Sequence, residues 1–297
     1  MELELFHRIV MAGVFGVVAG MAAWLVAKGS LLLWSLWATR RPVGQPMPSA
    51  PGDSERRAHR RLGRELAAWL ASLLVSLTVF LEAYFFGPTQ IEMQVAMWGW
   101  ILALLLVIGD LGFVGYMLYR IVRARRRHRY AWAMRRAVGG ILERTCLGGY
   151  RLFNEVRIED EVIDHVLLGE KGVFLISTIA RRPPRKLDAP TVKLKAGKLG
   201  FSDGVIEGIP VGDAARKLSL LGSELTRLVG HRVQVKSIIA VPGWNSQPDA
   251  DANHLLLNEN NLVSLASWNS ADAFLMHEDL PNLESFLNDA ASIKLLD

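Results

Sequence analysis

Two apolar runs on either side of a short turn decide the fold of this 297-residue chain. The first run reads Ile163-Asp164-His165-Val166-Leu167-Leu168-Gly169, and the second reads Gly172-Val173-Phe174-Leu175-Ile176-Ser177-Thr178-Ile179. β-Branched and aromatic residues are frequent in both runs, and Gly169-Glu170-Lys171-Gly172 between them has the composition of a hairpin turn. These residues therefore predict two paired strands, Val162–Leu168 and Val173–Ile179.

The surrounding sequence predicts an α/β domain over residues 131–297. A helix at Ala131–Thr145 and a strand at Tyr150–Ile158 precede the hairpin, Asp213 is predicted to cap a second helix, and Val233–Val241 has the pattern of a buried strand. This order of helix, three-stranded meander, helix and strand is that of a restriction-endonuclease-like core. Further predicted elements are a hairpin of Thr191–Leu194 with Lys198–Phe201, a short strand at Leu262–Ala266, helices at Ser270–His277 and Pro281–Ala291, and, on the helix after Asp213, an apolar face of Ala214, Leu218, Leu221, Leu225 and Val229.

The N-terminal part of the chain predicts a membrane protein. Ile9–Ala27, Leu66–Phe86 and Val95–Tyr119 are apolar stretches that reach the length of about 20 residues needed to cross a bilayer. Residues 1–130 carry 15 basic and 8 acidic side chains, whereas residues 131–297 carry 19 and 21. Arginines follow the first and third stretches, so the positive-inside rule places the N-terminus outside and the C-terminal domain in the cytoplasm. The expected location is the inner (plasma) membrane, with several membrane passes.

The expected fold class is therefore three N-terminal transmembrane α-helices followed by an α/β, restriction-endonuclease-like cytoplasmic domain. Gly16 and Gly20 form a GxxxG pair that is expected to allow close helix packing, within the molecule or between two copies. The single Cys146 excludes an internal disulfide. The predicted parts are a first transmembrane helix with its extension (1–38), a basic Pro/Gly-rich cytoplasmic linker that turns helical near Arg56 (39–65), a transmembrane hairpin (66–119), a basic juxtamembrane segment (120–130) and the cytoplasmic domain (131–297).

The central hairpin resembles the nuclease-related domain, NERD. The resemblance rests on Tyr150-Arg-Leu-Phe-Asn-Glu-Val and on the two runs quoted above, which look like the family's "iDHvvvG..GvfviExK" signature on paired strands. It extends more loosely from Val138 to Val241. In this family two acidic groups bind a divalent ion, and a nearby lysine stabilises developing charge or helps to activate the attacking water. The resemblance thus implies a metal-dependent nuclease site.

The chain departs from that signature at the residues that carry the chemistry. Asp164 stands at the family's first acidic position, but Ser177 and Ile179 stand where the family has its second acid and its lysine. The family's upstream Gly-Glu pair has no clean counterpart in Val138-Gly139-Gly140-Ile141. A hydroxyl and an aliphatic side chain cannot replace a carboxylate and an ammonium group. The site is therefore expected to be degenerate, and the protein is expected to lack enzymatic activity and to need no cofactor.

One alternative restores the site from other residues. Lys193 or Lys195 on the next predicted strand would have to reach Asp164, and Glu159 or Glu161 would have to supply the second acid. Strand alternation places Glu161 and Asp164 on opposite faces, which argues against that pair. Only in this alternative would Asp164 bind Mg²⁺.

A basic cluster follows the hairpin and is expected to form a rim near Asp164. Its cations would contact the phosphates of DNA or RNA without sequence preference, or lipid headgroups, or only solvent. The cluster consists of Arg181, Arg182, Arg185, Lys186, Lys193, Lys195 and Lys198.

These features favour a membrane-anchored, catalytically inactive NERD-like domain that acts as a scaffold or nucleic-acid-docking subunit of an inner-membrane assembly. One alternative is a membrane-tethered, metal-dependent nuclease with migrated catalytic residues. The other is a purely structural membrane subunit that binds only protein. The expected partners are the lipid bilayer, other subunits of the assembly or a second copy of the chain, and nucleic acid through the basic cluster.

Overall fold

The computed structural model describes residues 14, 16–29, 49–86, 97–184, 188–246, 254–267 and 275–291. The chain forms two compact units, one of Met1–Val43 with Arg57–His128 and one of Gly44–Arg56 with Arg129–Asp297. Arg185, Lys186 and most of the predicted helix at Ser270–His277 lie outside the described residues.

Helices make up the described part of the first unit. Helix α1 covers residues 16–29, α2 extends over Asp53–Phe86 and α3 over Met97–Thr145. The Ser72 hydroxyl donates a 2.7 Å hydrogen bond to the carbonyl oxygen of Gly20, which joins α2 to α1. The ring of Trp69 lies 5.4 Å from that of Trp24 and 5.7 Å from that of Phe113, so aromatic contacts connect all three helices.

The structure contradicts the predicted transmembrane helices. Among the described residues, no helix combines the length and the apolar character that crossing a membrane requires. The predicted three-span fold class and the predicted multi-pass inner-membrane location are therefore wrong. The expected linker arginines Arg56–Arg64 belong to α2, and Arg120–Arg129 continue α3, so apolar and charged segments share single helices.

A five-stranded sheet forms the centre of the second unit, with the strand order β1-β2-β3-β7-β9. The first three strands form an antiparallel meander, and β7 and β9 extend it in parallel. Gly172, with φ 122°, closes the tight turn between β2 and β3 in a conformation that side chains rarely adopt. The strands are β1 (Arg151–Ile158), β2 (Glu161–Gly169), β3 (Gly172–Thr178), β7 (Val235–Ala240) and β9 (His254–Leu257).

Helices cover this sheet through two separate apolar clusters. Val138 and Leu142 of α3 are fully buried against one cluster. Helices α4 (Ile209–Val229) and α5 (Leu280–Ala291) pack into the other cluster, which includes Leu221 and Leu287. The predicted sequence of helix, meander, helix and strand is thus confirmed.

A second, four-stranded sheet lies beside the first in the same unit, with the order β6-β5-β4-β8. Val192 and Leu194 of β4 face a buried cluster around Trp244, while Lys193 and Lys195 on the other face are exposed. The predicted hairpin at residues 191–201 is confirmed. The strands are β4 (Thr191–Lys195), β5 (Lys198–Phe201), β6 (Ile206–Glu207) and β8 (Asn245–Ser246).

Two predicted element boundaries are wrong. Gly208, not Asp213, is the N-cap of α4, because Pro210 fits the first helical turn and starts the helix earlier. Asp213 lies inside the helix and accepts a hydrogen bond from Arg216. The predicted strand at Leu262–Ala266 is a 3-10 helix, Leu262–Ser267, whose buried residues Leu262 and Leu265 are three positions apart.

Candidate functional site

The carboxylate of Asp164 is held by two groups of the protein itself. The backbone N–H of Thr178 on β3 donates to its Oδ2 at 2.7 Å. The guanidinium of Arg135 on α3 lies with its Nε 3.1 Å from Oδ1. The Asp164 side chain is only 6% exposed, so these contacts replace most of its hydration. A charged carboxylate in such a position is stable only with this kind of compensation.

The strand pattern is interrupted at this point. The ladder between β1 and β2 pairs Asn154 with His165 and Val156 with Ile163, but it skips Glu155 and Asp164, all of which the structure describes. Glu155 has a φ of 53°, which is unusual for a residue with a side chain. The alternation of faces is shifted as a result, and both Asp164 and His165 come close to α3.

The buried carboxylate of Glu155 binds the start of helix α2. Its two oxygens accept hydrogen bonds from the backbone N–H of Ser54 at 2.7 and 3.0 Å, and Oε1 accepts a further bond from the Ser54 hydroxyl at 2.8 Å. Ser54 lies in the first turn of α2, where unpaired N–H groups and the helix dipole favour a negative charge. Glu155 therefore has a structural role at this helix terminus.

Arg135 joins this helix start to Asp164. Its Nη1 lies 3.0 Å from Oε1 of Glu55 and donates to the hydroxyl of Ser54 at 3.4 Å. The same guanidinium contacts Asp164 through Nε. The sequence did not reveal Arg135, Glu55 or Glu155 as site residues. The one local signal was a charged residue, Glu155, next to buried Val156 in a strand.

His165 is fully buried beside this ion pair. Its Nδ1 lies 2.7 Å from Oδ1 of Asn154, which indicates that Nδ1 carries the proton. Burial lowers the pKa of His165 to about 4, and the negative charge of Asp164 only partly opposes that shift. A Cβ atom at Gly139 would lie 3.4 Å from the imidazole and 2.6 Å from Cγ of Pro51, so α3 needs glycine at this position. His165 is thus a neutral packing residue.

The positions that correspond to the family's second acid and lysine offer no metal ligand. The Ser177 hydroxyl is buried without a hydrogen-bond partner among the described residues. Ile179 packs against the apolar cluster of the second sheet. Across the described residues, no group of three His, Cys, Asp or Glu side chains is placed to hold a metal ion. The donor set around Asp164 therefore does not fit the two-acid metal site that the family implies.

The residues proposed to restore the site belong to β4, to β2 and to a turn. Lys193 and Lys195 are exposed on β4 of the second sheet, whereas Asp164 belongs to the first sheet. Glu161 forms an ion pair with Arg216 of α4 at 2.7 Å, so its charge is already compensated. Glu159 lies in the turn between β1 and β2 with a φ of 51°.

The predicted basic cluster divides into two kinds of residue. Arg181 is enclosed: it forms ion pairs with Asp203 at 2.7 Å and with Glu207, and its guanidinium lies 4.4 Å from the ring of Phe201. Arg182 is exposed. The remaining described members, Lys193, Lys195 and Lys198, are exposed on one face of the β4–β5 hairpin, which we call the lysine face.

The glycines of the predicted helix-packing motif lie on α1. A Cβ atom at Gly20 would lie 2.9 Å from Cβ of Ser76 and 3.3 Å from the carbonyl oxygen of Ser72. The absence of a side chain at Gly20 therefore permits the close approach of α1 and α2 within the first unit. Gly16, one turn earlier on α1, is buried.

Comparison with known proteins identifies the part of the chain that carries Arg135, Asp164 and the lysine face. Residues 131–242 match the model of the nuclease-related domain, NERD. This match confirms the resemblance predicted from the central hairpin, and it covers α3 from Ala131 onward, the meander, α4 and β7. No curated protein and no solved structure matches the chain significantly.

Proposed function

We propose that the nuclease-related domain at residues 131–242 does not hydrolyse nucleic acid and instead docks it on the lysine face, as a scaffold. The main support for the loss of hydrolysis is the ion pair between Asp164 and Arg135. The main support for nucleic-acid docking is the position of three exposed lysines on one face of one hairpin.

Hydrolysis by this family needs two carboxylates on a metal ion and a lysine near the scissile phosphate. Here the one retained carboxylate, Asp164, already contacts a guanidinium and a backbone N–H. A metal ion would have to displace Arg135, and Ser177 stands where the resemblance implies the second acid of the family. This arrangement supports a domain that retains the fold of the nuclease-related family but does not cleave phosphodiester bonds.

The lysine face has the electrostatics of a phosphate-binding surface. Lys195 pairs directly with Lys198 across the hairpin, and Lys193 lies on the same side of β4 as Lys195. Like charges directly opposite one another weaken a strand pair, and a bound polyanion relieves that repulsion. No ion pair involves these three lysines among the described residues, in contrast to Arg181. They are therefore available to phosphates.

Binding of the full chain to fluorescein-labelled DNA and RNA should be followed by anisotropy over a salt series. A plot of the logarithm of the binding constant against the logarithm of the salt concentration should have a slope of about −3 on duplex DNA, because three lysines neutralise three phosphates. The K193E/K195E/K198E variant should bind at least about tenfold more weakly with a much smaller slope.

The matched control is K171E/K217E/R232E, which makes the same change in net charge at positions outside the lysine face. It should retain most of the affinity. Equal weakening by both triple variants would show that net charge alone drives binding. If the unmodified chain shows no salt-dependent binding, the purely protein-binding alternative replaces nucleic-acid docking.

The loss of hydrolysis has a separate test. The full chain should show no cleavage of plasmid DNA or RNA above background with Mg²⁺ or Mn²⁺, because the site lacks the second acid and the lysine. Asp164→Asn, which keeps the shape of the side chain, should behave identically. Metal-dependent cleavage that Asp164→Asn abolishes would instead establish the alternative, a nuclease with migrated catalytic residues.

A further inference from the structure

Residues 49–56, which we call the strap, lie across the Asp164 site within the second unit. At one end, the backbone N–H and the hydroxyl of Ser49 both donate to the carbonyl oxygen of Ala291, at 3.1 and 2.7 Å. In the middle, Pro51 lies against Gly139 of α3. Gly52, with φ 76°, turns the chain so closely against Trp132 that a Cβ atom would lie 2.8 Å from its ring. The strap is therefore fixed by specific contacts before α2 begins.

The other end of the strap brings carboxylates to one guanidinium. Glu55 lies 3.0 Å from Nη1 of Arg135, and Asp164 lies 3.1 Å from Nε. Glu155 is satisfied separately by Ser54 and the terminus of α2. Arg135 is thus shared between Asp164 in the sheet and Glu55 in the strap. Both carboxylates are largely buried, with side-chain exposures of 6% and 17%.

The Asp164 site therefore has a cation of its own. The guanidinium of Arg135 forms ion pairs with both carboxylates and donates a hydrogen bond to the Ser54 hydroxyl, whereas its Nε–H makes no hydrogen bond among the described residues, so its contact with Asp164 is electrostatic. Without Arg135, Asp164 and Glu55 would each lose a cationic partner although both side chains are largely buried. That environment favours a divalent ion, since Mg²⁺ binds to one or two carboxylates together with water.

We propose that the guanidinium of Arg135 replaces the divalent metal ion of the family at the Asp164 site. The strap holds Arg135 in this position through Glu55, and we call this contact the latch. The latch goes beyond nucleic-acid docking and rests only on the inactive Asp164 site of the proposed function. Its consequence is that the Asp164 site binds a metal ion only when Arg135 is removed.

Metal rescue of an Arg135 variant tests the proposal. Thermal unfolding of the full chain is compared for the unmodified protein, R135Q and the neighbouring control R136Q, with and without millimolar MgCl₂ or MnCl₂. R135Q should melt about 5 °C lower because two carboxylates lose their counter-ion. The metals should recover about half of that loss in R135Q, whereas they should leave the unmodified protein and R136Q unchanged.

The double variant R135Q/D164N tests whether the metal ion binds at Asp164. It should show no recovery by metal, because the ion would have lost its main carboxylate. Three results would overturn the proposal. R135Q could have the same melting temperature as the unmodified protein, metal could raise the melting temperature of the unmodified protein as much as that of R135Q, or metal could still raise that of R135Q/D164N.

A milder variant keeps the test decisive if R135Q does not fold. E55Q leaves the contact between Arg135 and Asp164 in place and weakens only the strap. Trypsin should then cut after Arg56 or Arg57 several-fold faster, with the cut located by mass spectrometry, because local opening exposes the backbone. An unchanged cutting rate would contradict the latch. Anisotropy of E55Q with DNA should match the unmodified chain, so failure of the latch and failure of docking give different results.

Discussion

Replacement of Arg181 by methionine should lower the melting temperature of the second unit by about 5–8 °C, corresponding to about 2 kcal/mol or more of lost stability. The guanidinium lies 4.4 Å from the ring of Phe201 and 5.9 Å from that of Trp244. It also forms ion pairs with Asp203 and Glu207. Methionine would fill the space between the rings but would leave two acidic side chains without their cation.

The backbone of the same residue adds to the effect. The indole N–H of Trp244 donates a 2.9 Å hydrogen bond to the carbonyl oxygen of Arg181, which fixes this segment against the second sheet. A shift of residue 181 would therefore also disturb the buried Trp244. Arg181→Lys keeps the charge but loses the planar fork, so it should give a smaller decrease than methionine.

Thermal or urea denaturation followed by tryptophan fluorescence measures both variants. Arg182→Met is the matched control, since Arg182 is the next residue and is exposed. It should change stability by less than about 0.5 kcal/mol. If Arg181→Met weakened nucleic-acid binding while stability stayed unchanged, Arg181 would be a phosphate contact, as the sequence first indicated, and its enclosure would be secondary.

Acid should destabilise the second unit through His165. Burial lowers the folded-state pKa of His165 to about 4, compared with 6.5 for an exposed histidine. The unfolded chain therefore binds the proton first as pH falls, and the free energy of unfolding decreases between pH 6.5 and about 4. A difference of this size corresponds to about 3 kcal/mol across that interval, at about 1.4 kcal/mol per pH unit.

Urea denaturation at a series of pH values between 7 and 4 measures this loss. His165→Gln should remove the contribution of this residue, because glutamine can still donate to Asn154 but does not titrate. His277→Gln is the control, since that side chain is 87% exposed. Equal pH dependence in the unmodified chain and in His165→Gln would show that carboxylates, and not His165, dominate the acid response.

The sequence predicted the main elements of the second unit because each has a strong local pattern. The meander follows from dense β-branched and aromatic runs separated by turns, and α4 follows from its repeating apolar face, of which Ala214, Leu221 and Leu225 are buried. The error at Leu262–Ala266 has a local cause. Leu262–Ala266 is a short run in which every residue but Ser264 is apolar, and such a run shows no clear period, so it could not distinguish a strand from a 3-10 helix.

The prediction of membrane spans failed for a different reason. The sequence predicts separate apolar spans joined or followed by arginine-rich cytoplasmic segments, with the linker turning helical near Arg56. In the structure, α2 and α3 each carry an apolar and an arginine-rich part in one continuous helix. Sequence windows detect local hydrophobicity, but they do not show where a helix begins and ends.

Of the residues that form ion pairs around Arg135, the sequence identified only Asp164, because the signature around it is local. Its surroundings could not be predicted. Glu55 lies far earlier in the chain, and Arg135 lies on a helix whose turn toward the sheet depends on Gly139 packing against Pro51 and His165. Alternation along the strand also predicted the wrong faces here, because Glu155 adopts a φ of 53° and shifts the pattern.

By itself, the sequence predicted the main strands and helices of the part that matches the nuclease-related domain, and it predicted that Ser177 and Ile179 replace two catalytic residues of that family. Only the tertiary structure showed which groups surround Asp164, the family's first acidic position. Ion pairs depend on distances between side chains remote in sequence, and packing alone brings Arg135 and Glu55 to Asp164. The same holds for the basic cluster, in which folding encloses Arg181 and leaves Lys193, Lys195 and Lys198 exposed.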